Sequence, residues 1–166
     1  MNNKRFYLTL LIVFSVVAFL VFSGTSDITE AIKRDFTSEP GEMILVSDIS
    51  EYPSLSIAFF EYSNSISCFI IEKNLFGNLS VVGYSGAIPV LRENKSHSEN
   101  FNNIATNKEF YGGLAWGIVS KDISVSSMLK EQVYIHSFDK FDLWYTWSSN
   151  EIESSSICEM FSFYEE

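Results

Sequence analysis

The run FYLTLLIVFSVVAFLVF, Phe6 to Phe22, contains no charged residue and only Thr9 and Ser15 as polar interruptions, and it follows directly on Lys4 and Arg5. At 1.5 Å rise per residue, a helix of about 17 residues covers roughly 25 Å. That is just short of a hydrocarbon core of about 30 Å and lies at the lower limit of the spanning range. Tyr7 at one end and Ser23 to Thr25 at the other can sit at the interface and close the gap. A secretory signal has a shorter apolar region, about 7 to 15 residues, followed by small residues at the cleavage positions. Here the only such place is Val21-Phe22-Ser23 before Gly24, with Val where a small residue is preferred and no following Cys to accept a lipid. The expectation is an uncleaved signal-anchor over residues 1–25, with membrane contact through residues 6–22. The alternatives are secretion after cleavage and a core helix of a soluble protein. Cations flanking a span stay in the cytoplasm, so Lys4 and Arg5 place residues 26–166, read as one domain, outside it.

The whole chain has 11 Lys and Arg against 21 Asp and Glu, a net charge of −10, and two of those cations belong to the anchor. So acidic a domain is repelled by phosphate backbones, which excludes nucleic acid as a partner. A basic partner, a divalent cation or simple solubility remain. From Asn150 to Glu166 there are five Glu and no Lys or Arg, but Phe161, Phe163 and Tyr164 between them argue against a merely disordered tail. Cys68 and Cys158 are the only cysteines. An even count in an oxidising compartment suggests a bridge between them, with two buried free thiols as the alternative.

Beyond the anchor, Asp27 stands three residues before Glu30, the capping-box spacing. Ile28, Ala31, Ile32 and Phe36 then recur at helical intervals, which predicts a short amphipathic helix over Ile28 to Phe36, ended before Pro40-Gly41. Leu55 to Tyr62 and Ile66 to Lys73 are rich in β-branched and aromatic residues and flank Asn64-Ser65, so they read as a hairpin, with Leu79 to Tyr84 as a third strand. Pro53 and Pro89 are placed outside these runs, as their missing amide donors require. Arg92 to Lys108, with five Asn, reads as a long polar loop. GLAWGIVS, ISVSSML, QVYIHSF and FDLWYTWS follow at short intervals, with Asp139-Lys140 as a hairpin signal between the last two. The fold class is therefore α+β: an N-terminal transmembrane helix, a short amphipathic helix, then a mainly antiparallel sheet of about seven or eight strands that closes or folds over.

Candidate chemistry is sparse. His97, near Glu93 and Glu99 in the polar loop, and His136, on a predicted strand, are the only histidines. The first three could meet a transition metal, although no regular element fixes their spacing. Glu61 and Glu72 are candidates to face each other across the first hairpin. GYSG, Gly83 to Gly86, lacks the nucleophile-elbow spacing and reads as a turn. No phosphate loop, dinucleotide fingerprint, zinc-helix motif or calcium loop is present, and no cofactor is expected. Asn78 and Asn94 fit the glycosylation acceptor pattern, which has meaning only in a eukaryotic secretory pathway.

The succession EAIKRDF, then IAFFEYSNSISCFIIEKNLFGNLSVVGYSG, then GLAWGIVSKDISV and DLWYTWSS resembles the plan of small uncharacterised anchored or secreted proteins of low-GC Gram-positive bacteria. The likeness covers most of residues 28–149, and Ser120-Lys121-Asp122 only partly reproduces the turn usual there. It implies no activity, site or cofactor. Two functions follow from the residues. One is a membrane-anchored extracytoplasmic interaction domain whose sheet and Arg92 to Lys108 loop contact an envelope protein partner. The other is an envelope hydrolase or metal-dependent enzyme using His97 or His136 with nearby carboxylates.

Overall fold

The computed structural model describes residues 3–22, 24–36, 39–90, 101–105, 113–120, 123–127, 132–148 and 161–165, with side chains for all of these except 3–5, 20–22, 101–105, 123–127 and 161–165. The apolar run forms one helix, α1 (Asn3–Phe22). Its described side chains do not serve as a core: Phe14 is 76% exposed, Phe19 71% and Leu11 65%. Among the described residues no helix is long and apolar enough to cross a membrane; in α1 the described side chains run only from Phe6 to Phe19.

The second helix, α2 (Ile28–Asp35), begins where its cap predicts. The Asp27 carboxylate accepts from the Glu30 N–H, and Lys33 and Arg34 occupy the last turn, where cations complement the helix dipole. Ten strands follow among the described residues. β1 (Glu42–Ile49), β2 (Tyr52–Tyr62), β3 (Ser65–Lys73) and β4 (Leu79–Pro89) form an antiparallel meander in that order. β5 (Phe101–Ala105), β6 (Gly113–Val119), β8 (Val133–Ser137) and β9 (Asp142–Ser148) form a second antiparallel sheet, ordered β5-β6-β9-β8. β7 (Ile123–Ser127) pairs with β10 (Phe161–Glu165) as a separate two-stranded ladder.

Strand alternation explains how these pieces pack. In β2, Leu55, Ile57 and Phe59 point to one face, as do Ile66, Cys68 and Ile70 in β3. They meet Leu114, Trp116 and Ile118 of β6 and Leu143, Tyr145 and Trp147 of β9 in one continuous core. Phe59 is central, 5.4 Å from the Trp116 ring and 5.7 Å from that of Tyr145. The opposite face of the first sheet presents Ala58, Phe60, Phe69 and Ile71, and Ile32 of α2 seals it. The domain is therefore layered as helix, sheet and sheet.

Several expectations need correction. Among the described residues ten strands replace the expected seven or eight, because EMILVSDI forms β1, residues 101–105 of the supposed loop form β5, and the C-terminal aromatics form β10. The first hairpin turns at Ser63-Asn64, both at positive φ (51° and 61°) as a two-residue turn requires. Its register sets Glu61 opposite Ile66 and Glu72 opposite Leu55, so the two carboxylates sit at opposite ends of the hairpin and do not face each other. GYSG is not a turn but the middle of β4, with Tyr84 opposite Phe69 and Ser85 opposite Cys68. Its glycines accompany register shifts on either side, the irregularity that strand glycines often mark. Pro53 and Pro89 lie inside strands, but at their ends: Pro53 is the second residue of β2, and Pro89 is the last of β4. There a missing N–H costs little.

Candidate functional site

An open groove results from a mismatch of lengths. Eight residues of α2 rise roughly 12 Å, whereas the eleven residues of β2 extend roughly 37 Å. The helix therefore covers only the part of the outer face that contains Phe60 and Ile71, with Phe69 at its boundary. The other part remains open as a recess of about 320 Å³, at the small end of the range of ligand pockets.

The groove has aromatic walls. Phe36, just beyond α2, lies 5.0 Å from Tyr84, and Tyr84 lies 4.9 Å from Phe69, in tilted rather than face-to-face arrangements. Tyr62 stands on the other side, 63% exposed. Between the walls run Ser65 and Ser67 of β3, whose intervening Ile66 points into the core. Ala87 completes the lining from β4. Ile66 pairs with Ile88 and Cys68 with Ser85, so Gly86 and Ala87 together oppose the single residue Ser67. That bulge bends β4 beside the groove, a common device for re-aiming side chains near sites. The carboxylate at the rim, Glu39, lies 3.2 Å from the Lys33 ammonium, which tempers its charge.

A smaller recess of about 220 Å³ opens at the same end of the molecule, between the β2–β3 turn and the β8–β9 turn. Glu61, Asn64, Asp139 and Lys140 give it mixed charge, and Val90 donates to the Asn64 carbonyl at 2.7 Å at its edge. The Ser63-Asn64 turn thus separates two concavities.

The residues singled out from sequence lie elsewhere. His136 is half-buried on β8, its ring stacked parallel to that of Tyr145 at 5.7 Å. Tyr145 in turn stacks on Tyr134 and donates its hydroxyl to Ser47 Oγ at 2.7 Å. Burial pushes the Tyr145 phenol upward, so it remains a neutral donor in this bond. His97, Glu93 and Glu99 lie outside the described residues, among which no group of three or more metal-ligating side chains occurs. Cys68 is a free thiol, fully buried between the sheets, and desolvation raises its pKa well above the usual thiol value. Its expected bridging partner, Cys158, lies outside the described residues.

Sequence reasoning missed the groove residues altogether. The available signal was Ser65 and Ser67 alternating with Ile66 and Cys68, a strand whose second face is polar at one end and apolar at the other. Together with a helix of two turns, that pattern indicates a half-covered sheet.

The fold and groove define a layered α+β sandwich with one open aromatic face. No protein-family model, no curated protein and no solved structure matches the chain.

Proposed function

We propose that this is a membrane-anchored extracytoplasmic binding domain: α1 holds the chain in the membrane with Lys4 and Arg5 on the cytoplasmic side, and the groove engages an extended segment of an envelope protein partner. For the anchor, the support is a single helix through Phe22, apolar on every face, whose described large apolar side chains are exposed. A helix hydrophobic all round belongs in a core or in lipid.

The position of the groove carries the binding reading. The Thr25 carbonyl, just past α1, accepts from the Leu79 N–H at 2.8 Å, and Leu79 pairs with Lys73 at the end of β3. Ser65, at the other end of that nine-residue strand, is roughly 25–30 Å away. The anchor and the groove thus occupy opposite ends of the first sheet, with the groove presented away from the bilayer. Its rings accept apolar side chains and its serine hydroxyls pair with amide groups, the combination by which aromatic-lined grooves hold extended peptides.

Photo-cross-linkable residues at Tyr84 and Ala87, with one at Val46 on β1 as control, test this in living cells. A discrete protein adduct from the groove positions and none from Val46 is expected. Equal adducts from all three, or none, overturn the proposal. Loss of the cellular phenotype in His97→Ala or His136→Ala protein that still folds, with no groove adduct, is the outcome of the hydrolase reading.

A further inference from the structure

We infer that the β3–β4 turn is a second membrane contact, dipping Leu75 and Phe76 into the lipid interface beside the anchor; this rests on the anchored reading above. Leu75 is 101% exposed and Phe76 52%, the most exposed pair of adjacent large apolar residues outside α1 among the described side chains. The hydrogen bonds that shape the turn do not involve their side chains. Asn74 organises the turn: its side-chain oxygen accepts from the N–H groups of Phe76 (2.9 Å) and Asn78 (3.0 Å). Its backbone N–H donates to the Asn78 carbonyl, its carbonyl accepts from Gly77, and Gly77 adopts φ 83° to close the loop. Two apolar side chains are therefore held outward on a hydrogen-bonded frame, so little ordering entropy remains to be lost on insertion.

The chain path fixes what covers them. Thr25 is bonded to Leu79 at the base of this turn, and a Cβ on Gly24 would collide with the Asn78 side chain. Only three peptide steps separate Thr25 from Phe22, the last residue of α1, a reach of at most about 11 Å. With α1 in the bilayer, the base of the turn therefore lies at headgroup depth. The exposed apolar tip then meets the interface, where Phe and Leu side chains partition. Lys73, exposed at the start of the turn, is placed to face anionic headgroups. Two contacts, anchor and tip, would hold the domain upright and keep the groove pointed away from the membrane.

The test is depth measurement on the full chain reconstituted in phosphatidylcholine–phosphatidylglycerol vesicles. Single spin labels are placed by Leu75→Cys, Asn64→Cys and Phe14→Cys in a Cys158→Ser background, Cys68 being buried. The expected result is a label at 75 shielded from a water-soluble nickel relaxant and accessible to oxygen, while the label at 64 shows the reverse. If 14 reads as membrane-buried but 75 matches 64, the turn contact is overturned and the anchor stands. If 14 is itself water-accessible, both readings fall. Leu75 has no packing role, so the substitution leaves the fold intact, which the unchanged unfolding midpoint of the unlabelled variant verifies.

Discussion

Ser85 and Trp116 connect the two sheets through one buried bond, the indole Nε1 donating to Ser85 Oγ at 3.1 Å, while Ser85 donates onward to the Gly86 carbonyl. Ser85→Ala leaves the N–H of a fully buried Trp116 without this acceptor, and a loss of about 1–3 kcal/mol is expected. In urea unfolding the midpoint falls at unchanged slope. Asp35 gives a second residue-scale expectation. It accepts from Arg34 Nε at 2.9 Å and from the Val81 N–H at 2.9 Å, tying the end of α2 to β4. The Arg34 bond, ahead of the Val81 bond, lowers its pKa against the opposing effect of burial. A carboxylate lowered on folding stabilises fully above its unfolded pKa, about 3.9, and loses that contribution as pH falls through the folded value. The stability gap between the native chain and Asp35→Asn should therefore be flat at neutral pH and shrink on acidification below about pH 4. A gap independent of pH to the acid limit would remove the carboxylate from the account. Cys68 should resist alkylation in the native state and react in denaturant without reductant. Continued protection there, released by reductant, is the signature of a Cys68–Cys158 bridge.

Among the elements, α2 was the most legible, because its cap, its dipole-matched ends and its apolar stripe all lie within a dozen residues. Asp27→Ala should cost about 1 kcal/mol through the lost cap. Ile32→Ala, at 1% exposure, should cost about 2–5 kcal/mol through the cavity left over Phe60 and Phe69. Circular dichroism and urea titration together distinguish loss of the helix from loss of the whole domain. The β2–β3 hairpin was equally readable from Leu55-to-Tyr62 and Ile66-to-Lys73. Strands without a private signal were not: β1 has no strong alternation because it is an edge, with only Ile49 fully buried. β5 uses Asn102 and Asn103 in a ladder to β6, where the pairing is made by backbone groups that composition does not report. Gly83 and Gly86 suggested a turn because glycine carries both meanings, and only the neighbouring strand decides between turn and bulge.

At the scale of the molecule, the layering follows from the two faces of the first sheet, one packed on β6 and β9 and the other sealed by Ile32 of α2. Every residue of β6 is buried, and GLAWGIV indeed has no polar alternation, the mark of a strand covered on both sides. The groove was not legible, because it belongs to no segment; it arises where a short helix meets longer strands. The same geometry predicts how independent the anchor is. The described side chains of α1 are exposed except for a half-buried Ala18, and Thr25, which bonds to Leu79, lies beyond its end. A chain beginning at Gly24 keeps that bond and the whole of both core clusters. It should unfold in urea at the same midpoint and slope as the β domain of the full chain in mild detergent, because no apolar area of the domain is exposed by the truncation. A clearly lower midpoint would mean that α1 packs on the domain, and the core-helix alternative would replace the anchor. An equal midpoint, with the truncated protein no longer sedimenting with membranes, places the stability of the domain in its sheets and its attachment in α1.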